Sequence, residues 1–318
     1  MPEQLSNKRI LITGGAGFIG SNLSESIVKH GAAVRVFDNL STGHLSNLDT
    51  IKNDIEFIKG DIRDYDHLKQ ICKGIDIIFH EAAEVSVQKT FENPVETLSI
   101  NATGTLNVFD VAKECGVNRV VQASSCAVYG DGPELPKVET MNPFPISFYA
   151  AQKIMAEYHA MLYHKLYQLE TVSLRYFNVY GLRQDPSSTY SGVISIFLTK
   201  AIENEVPVIY GDGNQYRDFI NVKDIVQANI LAATRPGISG NVYNIGTEKV
   251  VSINELWTMI CQQTGKNISP TYVTERPGDI QASVSNISKA RHDLNFIPLI
   301  SFEKGLMETL EWYVKSLK

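Results

Sequence analysis

Only four cysteines occur in the 318 residues, at Cys72, Cys115, Cys126 and Cys261, far apart and with no CxxC pair. The opening "MPEQLSNKRILITGG" runs from polar residues straight into a strand-like stretch, without the apolar segment and small-residue cleavage site of a signal peptide. Together these exclude a disulfide framework and predict free thiols in a cytoplasmic protein. The seven histidines show neither an HExxH pair nor His/Cys spacing, so no metal site is expected. Runs of five or six like charges are absent, and 29 basic against 35 acidic side chains give a net charge of -6. That balance offers no basis for binding nucleic acid or an anionic membrane. No stretch reaches membrane-spanning length. With no export signal, the N-x-S/T sequons at Asn101, Asn267 and Asn286 read as chance matches.

What is present is a chain with 43% apolar residues, enough for a large core arranged as two lobes rather than two independent domains. Short apolar runs alternate with helical patterns: "RILITG" before "SNLSESIVKHG", then "AVRVFD", "IEFIKGD" before "DHLKQICKG", "DIIFHEAA", "NATGTLNVFDVAKECG" and "RVVQASS". Strands this apolar, joined by helices, predict an α/β fold with a doubly wound parallel sheet and ligands at the carboxyl ends of its strands. Helical spacing from Tyr149 to about Leu166, a strand in "ETVSLRYFNVYG" and a short returning strand "NVYNIG" extend it. The turn-rich "LRQDPSSTYSG" and "VIYGDGNQYRDF", with mixed helices and turns to the end, predict a smaller C-terminal lobe.

"LITGGAGFIGSNL" carries Gly14, Gly17 and Gly20 in the order strand, glycine turn, helix. Glycine lets the backbone approach a pyrophosphate, and the helix N-terminus offers free N–H groups, here near Phe18 and Ile19. Asp38 ends the second strand 18 residues after Gly20, where a carboxylate accepts hydrogen bonds from an adenosine ribose and repels a 2'-phosphate. NAD is therefore expected rather than NADP. Asp61, after the third strand, could accept from the adenine amino group or simply cap a helix. Ala82 and Ala83 in "FHEAA" are small residues where a cofactor passes close to a strand end.

"FYAAQK" sets Tyr149 and Lys153 four residues apart, on one face of a helix. A nearby ammonium stabilises phenolate and is expected to lower the tyrosine toward the range useful for proton transfer. "SSCAVYG", Ser124 to Gly130, adds two hydroxyls and a thiol, but no base that would mark a nucleophile. Here the chain resembles the extended short-chain dehydrogenase/reductase family of NAD-dependent epimerase/dehydratase type, most closely its UDP-glucose and UDP-N-acetylglucosamine 4-epimerases. The likeness runs nearly full length, through "TGGAGFIG", "GDIRD", "NATGT", "SSCAVYG", "YAAQK", "LRYFNVYG", "GDGNQYRDFINV" and "RPGDIQASVSNISKA".

The resemblance implies that Ser125 hydrogen-bonds the reacting hydroxyl, that Tyr149 is the general base and acid, and that Lys153 binds the nicotinamide ribose and tunes Tyr149. It adds Asn39, Ser41, Thr42, Gly43, Ile62, Asn101 and Phe177 to the NAD site. For a UDP-sugar it implies Ser86, Ser125 and Tyr149, Asn178, Arg217 and Arg276 at the diphosphate, Val193, Val208 and Tyr210 around the uracil, and Asp279 at its ribose. Without the resemblance, each arginine reads as half of a surface salt bridge, Arg217 with Asp218 for example. Related 4,6-dehydratases carry an Asp and a Glu at the positions of Cys126 and Ala127, which cannot act as that pair, so Cys126 is expected to be packed and inert. Ser283 falls at the wall of the hexose pocket, where a small residue admits an acetamido group.

The expected activity is thus a UDP-hexose 4-epimerase acting on the UDP-GlcNAc/UDP-GalNAc pair, and on UDP-Glc/UDP-Gal, with retained NAD. The alternatives are a neighbouring nucleotide-sugar epimerase or reductase, and a non-catalytic NAD-sensing regulator. Residues 1–178 plus about 217–246 would form the dinucleotide domain, and about 179–216 plus 247–318 the UDP-sugar lobe. A homodimer is implied through helices near 103–115 and 150–166, the second offering Met155, Tyr158, Met161, Leu162 and Tyr163.

Overall fold

A computed structural model of the chain describes residues 5–185, 192–275 and 281–316. Its first half alternates as expected. Strands β1 (Arg9–Thr13), β2 (Ala33–Asp38), β3 (Ile55–Lys59), β4 (Ile77–His80), β5 (Arg119–Ser125) and β6 (Glu170–Tyr176) are joined through helices α1 (Phe18–Lys29), α2 (Tyr65–Cys72), α3 (Val87–Glu92), α4 (Pro94–Leu98), α5 (Thr105–Glu114) and α6 (Phe148–Tyr167). Next come β7 (Asn178–Tyr180), α7 (Val193–Glu203), β8 (Val208–Tyr210), β9 (Tyr216–Arg217), β10 (Phe219–Asn221), α8 (Val222–Thr234) and β11 (Asn241–Ile245). The last elements are β12 (Val251–Ser252), α9 (Ile253–Thr264), β13 (Thr271–Val273), β14 (Ala282–Ser283), α10 (Ser288–Leu294) and α11 (Phe302–Ser316).

Seven strands form one sheet in the order β11-β6-β5-β4-β1-β2-β3, with every pairing parallel. The central strands are apolar on both sides because both faces are covered. Ile10 and Ile12 of β1 join a core with Leu23 and Ile27 of α1 and Leu231 of α8, whereas Leu11 faces Leu68 of α2, Phe109 of α5 and Ala160 of α6. The strand order reverses between β1 and β4, which opens a crevice at their carboxyl ends. A third core, separate from the sheet, gathers Phe197 and Leu198 of α7, Leu256 and Trp257 of α9, and Leu306 and Tyr313 of α11. This is the smaller C-terminal region.

Two local outcomes differ from the periodicity. The expected strand "ETVSLRYFNVYG" is broken after Tyr176: Phe177 N–H donates to Ile245 O (3.0 Å), Asn178 N–H turns to Asp218 O (3.1 Å), and β7 pairs with β10 instead of staying in the sheet. Tyr163 is buried rather than offered on the surface of α6, since its ring stacks on Phe109 at 5.6 Å and its hydroxyl donates to Asp110 at 3.0 Å. Met155, Tyr158, Met161 and Leu162 do remain exposed. His80 is buried between the hydroxyls of Thr13 (2.7 Å) and Thr105 (2.9 Å), and burial pushes it down to about 3.

Helix α6 starts where Ser147 caps it, its side chain accepting from Ala150 N–H at 3.1 Å, and ends at Gln168 in the left-handed region. Its register on the sheet is set by one buried carboxylate. Glu157 accepts from Arg175 Nε (2.8 Å) and Nη2 (2.7 Å) of β6 and from Ser124 Oγ (2.5 Å) of β5. The two charged side chains are only 4% and 5% exposed. Replacing Glu157 with Gln strands the guanidinium, so the variant should be destabilised by about 3–5 kcal/mol in urea unfolding of the NAD-loaded protein.

Candidate active site

The crevice between β1 and β4 is a cleft of about 550 Å³ that continues to the ends of β5 and β6. At one end its wall begins with the glycine turn, Gly14, Gly17, Phe18, Ile19 and Gly20. Gly14 adopts φ +69°, and a Cβ there would stand 2.6 Å from Ala82 N; one on Gly20 would collide with Gly14 O. Only glycine allows this packing of turn, helix and strand end. Asp38, Asn39, Ser41 and Thr42 follow from the end of β2 and its loop, Asp61 and Ile62 from the loop after β3, and Ala82 and Ala83 from the loop after β4. Asp38 is buried and oriented, with Oδ2 accepting from Ala16 N–H at 2.9 Å and Oδ1 from Leu40 N–H at 2.8 Å.

Asp61 pairs with Arg63 at 2.7 Å and accepts from Asn39 Nδ2 at 3.0 Å. The Arg63 hydrogen bonds hold its carboxyl down at about 2. It is not a helix cap, because Asp64 caps α2 by accepting from His67 N–H at 3.1 Å. Two expected residues lie behind the wall rather than on it. Gly43 packs against Ala16, and Asn101 is buried in a widened π-helical turn, Ser99–Gly104. Asn101 exchanges hydrogen bonds with the backbone of Glu84 (2.8 and 2.9 Å) and donates to Gln152 Oε1 (2.7 Å), so it shapes the loop after β4 through its backbone.

The other end of the cleft brings together Ser86, Ser125, Tyr149, Lys153 and Phe177. Tyr149 and Ser125 are neighbours there, and the serine hydroxyl acts on the phenol against the effect of burial. Lys153 Nζ lies 5.9 Å from the Tyr149 ring centroid and donates to Ala123 O at 2.9 Å. The expected lowering of the tyrosine by this ammonium is not what dominates. Burial pushes Tyr149 up to about 12 against the Ser125 hydroxyl, and burial pushes Lys153 down to about 8 against the carboxylates of Glu81 and Glu157. Water exclusion governs both groups. Cys126 is driven up to about 11 by burial, which keeps its thiol protonated at neutral pH.

A second group of expected residues stands beside the cleft. Strand β9 pairs in parallel with β14, which sets Arg217 opposite Ser283. Asn178 Nδ2 reaches Asp218 O at 3.1 Å and Ser283 Oγ at 3.5 Å. Asp218 is no surface partner for Arg217. It is buried and accepts from Thr247 N–H (2.8 Å), Thr247 Oγ1 (2.6 Å), Glu248 N–H and Ser285 N–H (both 3.1 Å), and the Ser285 hydroxyl. Val193 opens α7, and Val208 and Tyr210 lie on β8; none of the three borders the cleft. Arg276 and Asp279 fall outside the described residues.

Glu81, His44 and Arg183 also line the cleft and belong to no motif. Glu81 carries a usable signal, an acidic residue at the carboxyl end of a central strand beside Ala82. Among the described residues no group of three or more His, Cys, Asp or Glu could hold a metal, and no helix is long and apolar enough to cross a membrane.

The family model for the NAD dependent epimerase/dehydratase family matches residues 10–246. The UDP-glucose 4-epimerase of Mycolicibacterium smegmatis is 35% identical, over 96% of this chain and 98% of its own. Among solved structures, a UDP-N-acetylglucosamine 4-epimerase from Methanobrevibacter ruminantium in complex with UDP-N-acetylmuramic acid superposes with a TM-score of 0.94 at 39% identity, covering 98% of this chain and 99% of that one. The UDP-glucose 4-epimerase of Thermotoga maritima with UDP-glucose gives 0.93 at 34% identity, covering 98% and 100%. The glycine cradle and the oriented Asp38 carboxylate fit a dinucleotide without a 2'-phosphate, and with these matches the chain belongs to the NAD dependent epimerase/dehydratase family and is an NAD-dependent enzyme.

Proposed function

We propose that this enzyme is a UDP-hexose 4-epimerase that accepts the UDP-GlcNAc/UDP-GalNAc pair as well as UDP-Glc/UDP-Gal. The observation that carries the reading is the convergence of Ser125, Tyr149 and Lys153 at the end of a cleft whose other end fits NAD. Bound NAD supplies a hydride acceptor and donor. As the phenolate, Tyr149 would take the proton of the sugar 4-hydroxyl and later return it, while Ser125, beside it in the cleft, would orient that hydroxyl. Lys153 holds the cofactor ribose and adds positive charge beside the phenol. The glycine turn, Asp38 and the loops after β2, β3 and β4 retain the cofactor, since release between the two transfers would leave a 4-keto sugar unfinished.

Asn178, Arg217 and Arg276 are the diphosphate contacts in this reading, with Val193, Val208 and Tyr210 at the uracil and Asp279 at its ribose. Residues 1–178 with about 217–246 act as the dinucleotide domain, and about 179–216 with 247–318 as the sugar lobe. The separate core of α7, α9 and α11 supports that division. Exposed Met155, Tyr158, Met161 and Leu162 on α6 support a homodimer built on that helix. Ser283 is the wall of the hexose pocket: it is buried, with Asn178, Arg217 and Cys126 around it.

Incubation with each of the four UDP-sugars should interconvert C4 epimers, seen by NMR, without net change in NADH absorbance, and Tyr149→Phe should lower kcat by roughly a hundredfold or more while NAD stays bound. Stoichiometric NADH oxidation, or a deoxy product, would exclude an epimerase. Ser283→Tyr should suppress turnover of the acetamido pair by roughly tenfold or more and spare the plain hexoses, because the added ring fills the space the acetamido group needs. Equal losses on both pairs would remove Ser283 as the gate. Sedimentation at micromolar concentration should give a dimer, and a monomer there would refute the α6 interface.

A further inference from the structure

Lys153 is a buried ammonium, 7% exposed, whose hydrogen bond among the described residues goes to the neutral carbonyl of Ala123. A charge so placed needs an opposite charge nearby. Glu81 follows His80, which is in register with Gln122 of β5, so it stands beside Ala123, whose carbonyl receives Nζ; Glu157 lies one turn further along α6, and among the described residues neither is within salt-bridge distance of Nζ. Glu157 is already neutralised by its two-point pair with Arg175 and also accepts from Ser124. Among the described residues Glu81 forms no ion pair.

Glu81 is also held in place. Asn229 Nδ2 donates to the Tyr176 hydroxyl oxygen at 2.7 Å, which leaves the Tyr176 O–H to donate to Glu81 Oε1 at 2.9 Å. Asn229 is itself anchored to Ile225 O at 3.0 Å on α8. The second carboxylate oxygen makes no hydrogen bond among the described residues, and Glu81 lines the cleft together with Lys153 and Tyr149. The other titratable or charged groups facing this pair are His80 of β4, Tyr149 and Glu157 of α6, and Arg175 and Tyr176 of β6. His80 is held neutral by burial, and burial raises both tyrosines.

We propose that Glu81 is the counter-charge of Lys153, a positioning residue that acts on the reaction only through that ammonium and sets the alkaline limit of turnover. The inference rests on the assignment of Lys153 above. Burial pushes Glu81 up to about 7 and Lys153 down to about 8, so the carboxylate forms as pH rises, before the ammonium is lost. Without the carboxylate, Lys153 loses its proton at lower pH.

The test is kcat against pH for the NAD-loaded enzyme. Glu81→Gln keeps an oxygen for Tyr176 and removes the charge; relative to wild type its kcat should fall at least about threefold further between about pH 7 and about pH 9. Glu81→Asp, which restores charge, should recover much of the wild-type alkaline limb. Tyr176→Phe, which frees the carboxyl, should shift the limb the same way by less, and it serves where Glu81→Gln does not fold. A profile parallel to wild type in Glu81→Gln or Tyr176→Phe, whether equal or uniformly reduced, overturns the proposal, as does an aspartate variant that behaves like the glutamine one. Lys153→Ala with near-wild-type turnover would remove the assignment beneath it, a result distinguishable from the parallel profiles because it is read in a different variant.

Discussion

The contact between Glu157 and Arg175 determines where the residues of the cleft can meet. One carboxylate joins three elements: it sits one turn after Lys153 on α6, pairs with Arg175 of β6 and accepts from Ser124 of β5, the residue in register with Arg175 and adjacent to Ser125. Shifting α6 along the sheet by a turn would leave two buried charges unpaired, a cost of several kcal/mol that no surface contact would offset. Tyr149 and Lys153 therefore meet Ser125 as a consequence of packing eight residues further along the helix from Tyr149.

Much of this architecture was legible in the chain because it is written locally. Apolar runs buried on both faces announce a parallel sheet, and glycines between β1 and α1 announce a turn that no side chain could enter. The Tyr149/Lys153 spacing needs only helical geometry. Where the reading failed, the deciding information was not local. "ETVSLRYFNVYG" reads as one strand, yet its backbone leaves the sheet after Tyr176 because Asp218 O and Ile245 O, distant in sequence, accept its next two N–H groups. Tyr163 looks like its exposed neighbours on α6 until Phe109 and Asp110 are placed beside it. Strands of two residues such as β9, β12 and β14 have no periodicity to detect, and the patch around Ser283 is built from them.

The protonation of the site was also illegible, for a related reason. A sequence displays the ammonium that would assist a phenol, but not the water taken away from both. Burial raises Tyr149 and Cys126 and lowers Lys153 and His80, in each case favouring the neutral form. Asp61 is the exception within the cleft. It is half-buried and bonded to Arg63, so its charge is stabilised rather than opposed.

Ser283 belongs to a two-residue strand attached to β9, outside the seven-stranded sheet that frames the glycine turn and Asp38. Its neighbours are Arg217 of β9, Asn178 of β7 and Cys126, which follows β5 of the main sheet. On the assignment of Ser283 proposed above, the pocket wall and the cofactor frame sit on different elements, so a change at position 283 leaves the glycine turn and Asp38 untouched.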